Sequence, residues 1–332
     1  MMPQPGYDAI LLVSFGGPEK SEDVMPFLEN VLRGRNVPRE RMLAVAEHYY
    51  HFGGKSPIND HCRALKSALE ELFAREGPRL PVYWGNRNWH PLLADTIRRM
   101  RADGIRRALA FVTSIFSSYS GCRQYRENID AAVAEAGEGA PAVDKIRPFY
   151  NHPLFLEAMA DRVGRLAPEE ELIFTAHSIP NAMAEGCAYV AQLREACGIV
   201  AEKASHVNWT LVYQSRSGPP QQPWLEPDIL DYLRRRETTR PVAIAPIGFL
   251  SDHIEVLWDL DHDARAVCEA RGIPMRRIAT VGTHPLFVRM VRELVLERLD
   301  PSLPRRSEGM HSPCPDECLP TCCLPPGRRP AA

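Results

Sequence analysis

Short apolar runs that alternate with stretches of helical spacing constrain this chain more than any other feature. Ala9–Ser14 reads Ala-Ile-Leu-Leu-Val-Ser, a buried-strand pattern, and Gly16-Gly17-Pro18 stops it. Residues 22–32 then take helical spacing, with acidic residues in the first turn at the positive end of the helix dipole. Runs at 81–85, 108–113, 172–176, 210–214 and 242–246 have the same apolar character, each trailed by a helical pattern. Strands bounded by turns and separated by helices build βαβ units, whose parallel sheets need helices on both faces.

The order also repeats. Tyr-Asn-His-Pro-Leu-Phe at 150–155 resembles Gly-Thr-His-Pro-Leu-Phe at 282–287, an offset of 132 residues. The run at 108–113, leading to Phe-Ser-Ser at 116–118, resembles the run at 242–246 leading to Phe-Leu-Ser at 249–251, an offset of 134. Two features at nearly one offset predict an α/β fold of two similar halves, each a parallel sheet flanked by helices. The halves are expected over residues 1–165 and 166–300, with a seam near 160–170. Ligands of open α/β sheets sit beyond the carboxyl ends of the strands, so two halves facing each other predict an interdomain cleft. Residues 301–332, rich in Pro, Arg and Cys and without apolar periodicity, are expected to form a tail and not a third domain.

Composition narrows the functional classes. Apolar residues make up 45% and charged residues 25% of the 332, a soluble globular profile. A net charge of −2 gives no general grip on nucleic acid, although local basic clusters can hold a small anion. No window approaches the roughly 20 apolar residues of a membrane span, and the first residues lack a cationic start before an apolar stretch. A cytoplasmic protein is expected. Of nine cysteines, Cys62, Cys122, Cys187, Cys197 and Cys268 are scattered and expected to be small buried hydrophobes. The other four crowd the tail.

Three constellations carry chemistry. Phe-Thr-Ala-His-Ser-Ile-Pro at 174–180 puts His177 at the carboxyl end of the second half's first strand. An imidazole at a sheet mouth suits proton transfer near neutral pH, and equally suits capping the next helix. The run from Gly248 to Asp263 holds the second constellation, with Ser251 or Asp252 expected as N-cap. If the helix runs on, Glu255, Asp259 and Asp263 fall one above another on one face. Like charges at that spacing repel unless a cation bridges them, and carboxylates with imidazoles suit divalent metals including iron. A solvated acidic face is the alternative. In the first half, Arg33, Arg35, Arg39 and Arg41 precede His-Tyr-Tyr-His-Phe-Gly-Gly-Lys-Ser-Pro at 48–57, and an Ser- and Tyr-rich segment follows at 114–126. Guanidinium groups grip carboxylates, and aromatics can wall a flat apolar ligand. Together with a proton acceptor and a metal path, they describe a planar, carboxylate-bearing, metal-binding substrate, as a porphyrin is.

These residues resemble the ferrochelatase family from about Tyr7 to about residue 295. Leu-Leu-Val-Ser-Phe-Gly-Gly-Pro at 11–18, Gly-Gly-Lys-Ser-Pro-Ile at 53–58, Phe-Thr-Ala-His-Ser-Ile-Pro at 174–180, Tyr-Gln-Ser-Arg-Ser-Gly-Pro at 213–219 and Gly-Phe-Leu-Ser-Asp-His-Ile-Glu at 248–255 resemble its signature segments in order. The resemblance implies two Rossmann-like halves with porphyrin in the cleft between them, and ferrous iron as the second substrate. It matches His177 to the histidine that takes pyrrole protons and contacts the metal, and Glu255 to the acid facing it. Asp259 and Asp263 continue a carboxylate row proposed to conduct metal or protons. Ser56 and Tyr125 match positions lining the porphyrin pocket, and Arg33 and Arg35 fall where similar enzymes meet propionates. Some bacterial relatives have a tyrosine as axial contact where this chain has Phe15. A phenyl ring cannot ligate iron, so heme is expected to be held differently here. The local forms look most like actinobacterial and planctomycete members, which commonly use coproporphyrin III, with four propionates, over protoporphyrin IX, with two.

The tail places Cys314, Cys318, Cys322 and Cys323 within ten residues. The resemblance implies a [2Fe–2S] cluster held partly by C-terminal thiolates. The match is by location and composition, not spacing. Adjacent Cys322 and Cys323 do not easily share one compact cluster, so Cys122 is a candidate further ligand. Zinc is the alternative metal, and a disordered tail with free thiols and no metal is the other possibility. Rival functions are a chelatase for another metal and tetrapyrrole, and a heme-binding or heme-delivery protein without turnover. The first strand's turn lacks the G-x-G-x-x-G of a dinucleotide site. Weak contact with a membrane or another heme-pathway enzyme would suit so apolar a substrate.

Overall fold

The computed structural model describes residues 6–34, 37–218 and 221–325. Two compact units make up the chain. The first comprises Met1–Thr113, Gln124–Ile146 and Val288–Pro304, and the second Ser114–Arg123, Arg147–Phe287 and Arg305–Ala332.

In the first unit the strands are β1 (Ala9–Ser14), β2 (Val82–Asn86), β3 (Arg107–Val112) and β4 (Ala142–Lys145). They form one parallel sheet in the order β2-β1-β3-β4. Helices α1 (Ser21–Val31), α2 (Arg39–His51), α3 (Ile58–Glu76), α4 (Leu93–Ala102) and α5 (Gln124–Ala136) connect and cover it. Strand side chains alternate between faces. Accordingly Ala9, Leu11, Val13, Ala108, Ala110 and Val112 meet Leu93, Ile97 and Met100 of α4 and Ile129 of α5 on one side. Every residue of β1 is buried, as a central strand covered on both faces requires.

The second unit repeats this plan. Its strands β5 (Glu171–His177), β6 (Trp209–Gln214), β7 (Val242–Ala245) and β8 (Met275–Arg277) are parallel in the order β6-β5-β7-β8, the same topology as the first. Its helices are α6 (Pro153–Val163), α7 (Asn181–Ala184), α8 (Tyr189–Lys203), α9 (Ile229–Arg235), α10 (Ile254–Val256) and α11 (Arg265–Ala270). A final helix, α12 (Pro285–Leu299), runs from residues of the second unit into residues of the first. The repeated His-Pro pairs have one job. The Nδ1 atoms of His152 and His284 each accept a hydrogen bond from the backbone N–H two residues on, at 3.3 Å, at the starts of α6 and α12.

Six strands lie where the apolar runs predict them, with ends differing by a residue or so. Two were not legible: β4 reads Ala-Val-Asp-Lys and β8 Met-Arg-Arg. Both are short edge strands without an apolar run, and their sheet position comes from pairing with β3 and β7. The tail forms no helix or strand over residues 301–325, yet residues 305–325 belong to the second unit and are tied down in it. Arg147 donates to the Arg306 carbonyl at 3.0 Å, Asn151 to the His311 carbonyl at 2.9 Å, and Lys203 pairs with Glu308 at 3.0 Å. The Glu195 carboxylate of α8 accepts from Tyr150, from the Met310 and His311 amides, and from the His311 ring.

Candidate active site

At the mouth of the second sheet, β5 ends on His177, whose register partner on β6 is Gln214. The His177 carbonyl accepts from the Tyr189 hydroxyl at 2.9 Å, which fixes the backbone. Its ring Nδ1 lies 2.5 Å from the Ser178 carbonyl. A carbonyl only accepts, so Nδ1 carries the proton and a neutral ring has its lone pair on Nε2. Nε2 lies 3.6 Å from Oε2 of Glu255. The loop after β7 packs against the same strand end: a Cβ at Gly248 would meet the Ala176 Cα at 2.6 Å, so only glycine fits there.

Glu255 lies on α10, and the helix start differs from expectation. His253, in extended conformation, occupies the N-cap without a side-chain capping bond, in place of Ser251 or Asp252. Asp252 is instead drawn to Arg277, at 2.6 Å. The helix then opens into a π-helix, Leu257–Ala264, with i→i+5 bonding. Val256, Leu260, Ala264 and Cys268 point into the core formed with Ile173, Val212 and Ile244. That anchored row leaves the neighbouring acidic row, Glu255 and Asp259, at the sheet mouth. Asp259 is buried and accepts from Gln214 Nε2 at 3.2 Å and from the Ser215 hydroxyl. Burial raises its pKa to about 7; the Glu255 charge adds to this, while Ser215, Gln214 and His177 oppose it. Asp263, further along, pairs with the His262 ring at 2.8 Å, and His262 stacks on Trp258 at 4.2 Å.

The structure therefore brings His177, Glu255 and Asp259 together, and gives Asp263 a partner in His262. Sequence reasoning missed Gln214 and Ser215 as individuals, although their motif was noted. Ser215 adopts a left-handed φ of 62°, uncommon for a residue with a side chain. The strand register opposite His177 is the signal that would have singled them out.

Within the first unit, Phe15 follows β1, its ring edge-on to Phe27 at 6.3 Å. Arg87, just after β2, lies over the Phe15 ring at 5.6 Å and over Tyr125 at 4.3 Å, and donates to Asn128 at 2.6 Å. Sequence reasoning missed this cation at the strand mouths. Tyr125 is buried in the core, Ser56 is buried beside Gly17, and Arg33 is exposed. Arg35 lies outside the described residues.

None of the nine cysteines forms a disulfide. Cys62, Cys122, Cys197, Cys268 and Cys323 are buried, while Cys187 and the other tail cysteines are partly exposed. Among the described residues no three His, Cys, Asp or Glu side chains are disposed, as they stand, to hold a metal ion. No helix among them is long and apolar enough to cross a membrane.

Comparison with known proteins gives a consistent answer. The family model described as ferrochelatase matches residues 7–299. A ferrochelatase of Rhodopirellula baltica is 56% identical, covering 98% of this chain and 96% of its own. Coproporphyrin III ferrochelatases of Streptomyces coelicolor and Mycolicibacterium smegmatis are 49% and 50% identical, covering 95% and 91% of this chain and 93% of each of their own. Among solved structures, SirB from Bacillus subtilis with Fe3+ has a TM-score of 0.53 at 10% identity, covering 87% of this chain and 96% of its own. CbiX, described as the terminal enzyme for biosynthesis of siroheme in denitrifying bacteria, has a TM-score of 0.51 at 16% identity, covering 88% and 100%. At such identities these two carry the fold alone, a Rossmann-like chelatase fold.

Proposed function

The chain belongs to the ferrochelatase family, and from that premise we propose that it inserts ferrous iron into coproporphyrin III, with His177 as the base and Glu255 as the acid opposite. Membership carries the reaction: Fe2+ enters a porphyrin in heme biosynthesis and two protons leave. The names of the Streptomyces and Mycolicibacterium relatives support coproporphyrin III as the substrate.

The observation that carries the residue assignment is the approach of His177 Nε2 to Glu255 at 3.6 Å, beside buried Asp259. A free-base porphyrin is planar and holds two inner N–H protons, so iron enters only as the ring buckles and those protons depart. With Nδ1 held on the Ser178 carbonyl, Nε2 of His177 is the atom that accepts a pyrrole proton. The imidazolium so formed is stabilised by Glu255. Asp259, poised near neutrality, takes up a proton passed on by Glu255. Asp263 and His262 extend the polar row along the π-helix, a route for metal or protons. Binding of the rim falls to Phe15, Arg33, Arg35, Ser56 and Tyr125, with Arg87 as a further cation beside Phe15 and Tyr125. Gripping the rim while the centre bends favours the transition state over the flat substrate.

A [2Fe–2S] cluster is part of this reading, its ligands drawn from Cys122, Cys314, Cys318, Cys322 and Cys323. Support comes from residue type alone, thiolates being the usual ligands of cluster iron. Arg123, beside Cys122, donates to the Pro320 and Cys322 carbonyls and holds that part of the tail near Cys122. Among the described residues, however, no three ligating side chains are gathered to hold a metal. Such a group, when bound, supplies a one-electron redox response and a cross-link between tail and unit.

Competition kinetics test the substrate. With ferrous iron under anaerobic conditions, kcat/KM for coproporphyrin III is expected to exceed that for protoporphyrin IX by at least about tenfold, the order of one well-formed polar contact. A preference for protoporphyrin IX would contradict the assignment. Glu255→Gln is expected to lower kcat with little change in porphyrin KM.

A further inference from the structure

The segment that carries Glu255 and Asp259 holds two further carboxylates, and both turn to one guanidinium. Arg277 ends the edge strand β8, in register with Ile244 of β7. Successive strand residues point to opposite faces. Arg276 accordingly reaches Glu170, at 3.1 Å, while Arg277 reaches the loop that follows β7. One terminal nitrogen of Arg277 lies 2.6 Å from Oδ1 of Asp252, and its Nε lies 3.6 Å from Oδ2 of Asp261. The other terminal nitrogen donates to the Ile278 carbonyl. The side chain is only 9% exposed, so salt and water screen these charges little.

Asp252 stands just before α10, and Asp261 lies within the π-helix Leu257–Ala264. The pair therefore brackets Glu255 and Asp259. At the other edge of the sheet, Gln214 of β6 and Ser215 hold Asp259. The strand order β6-β5-β7-β8 puts these two attachments on opposite edge strands. Between them Val256, Leu260 and Ala264 press on the core. Apolar packing is non-directional, so it sets the depth of the segment and leaves its sideways position to the polar contacts. Asp252 and Asp261 repel each other, and the Arg277 charge offsets that repulsion.

We propose that Arg277 is a positioning residue for iron insertion: by holding Asp252 and Asp261 together it sets where the Glu255 carboxylate stands relative to His177. The inference rests on the roles given above to His177 and Glu255. Without the guanidinium the two carboxylates push apart, and Glu255 drifts from its place 3.6 Å from Nε2 of His177. The rim residues Phe15, Ser56 and Tyr125 belong to the first unit and Arg277 to the second, so porphyrin binding is spared.

Anaerobic insertion of ferrous iron into coproporphyrin III by the full chain, read as kcat and porphyrin KM, provides the test. Arg277→Gln is expected to lower kcat at least about tenfold with KM within about twofold, because a small displacement of a catalytic group costs that much. The double variant Arg277→Gln/Glu255→Gln is expected to be no more than about twofold slower than Glu255→Gln alone, the signature of a residue that acts through another. Arg276→Gln, on the opposite face of the same strand, is expected to keep the wild-type kcat. Asp252→Asn covers the case in which Arg277→Gln fails to fold, and it is expected to lower kcat at least about threefold, the order of one polar contact. Losses that multiply in the double variant would overturn the proposal, as would a loss carried by KM alone or an equal loss in Arg276→Gln. So would a wild-type kcat in folded Arg277→Gln or, where that variant does not fold, in Asp252→Asn. A wild-type kcat in Glu255→Gln overturns the site reading itself, before Arg277 is compared.

Discussion

Asp259 is the residue whose environment makes the sharpest demand. Its carboxyl is buried beside Glu255, and the hydrogen bonds from Ser215 and Gln214 only partly offset burial. The folded pKa of about 7 lies above the ordinary 3.8. Between those values the folded chain keeps a proton that the unfolded chain has shed. Stability therefore falls as pH rises through that window. Asparagine has no proton to lose, so Asp259→Asn is expected to be more stable than wild type at pH 8 by about 2–4 kcal/mol. The advantage should shrink as the pH drops toward 4. Denaturant titrations of metal-free protein at both ends of the range check this, and a pH-independent difference would contradict it. The same substitution is expected to slow turnover, because a site that accepts a relayed proton is gone.

Elements decide how far such residues could be foreseen. Six strands and the position of His177 at the end of β5 follow from apolar runs and a Pro stop, because a central parallel strand must be apolar along its whole length. The edge strands β4 and β8, with Asp144, Lys145, Arg276 and Arg277, have no such signature. The π-helix was also hidden. Spacing of four between Glu255, Asp259 and Asp263 reads as one α-helical face, and only the backbone pattern shows that the segment is a π-helix, on which Asp263 pairs with its neighbour His262. Ser215 and Arg87 gain their places from strand register and strand ends, which a motif does not encode. Gly248 tests the element that seats the site. A Cβ there would collide with the Ala176 backbone, next to His177. Gly248→Ala is expected to cost about 1–3 kcal/mol and to reduce kcat more than porphyrin binding, as measured by unfolding midpoint and initial rates.

For the whole molecule, the shared strand order of the two units and the paired His-Pro caps mark one plan used twice, with the acidic row of Glu255, Asp259 and Asp263 on the second copy alone. The tail is structural as well as a source of thiols. Glu195 gathers Tyr150 and the 310–311 segment, and its side chain is only 6% exposed. Removing residues 305–332 leaves that carboxylate without most of its donors. A loss of at least about 2 kcal/mol is expected, a fall of roughly 4–8 °C in melting temperature, with the rate per folded molecule within a few-fold of wild type. An unchanged melting temperature would contradict this role. The central claim is that His177 removes the pyrrole protons while other residues hold the porphyrin. Anaerobic insertion of ferrous iron into coproporphyrin III, followed by absorbance for wild type and His177→Ala with porphyrin affinity measured alongside, tests it most directly. Wild type is expected to metalate the porphyrin rapidly and the variant not detectably, at an affinity within a few-fold. Near-normal turnover by His177→Ala would contradict it.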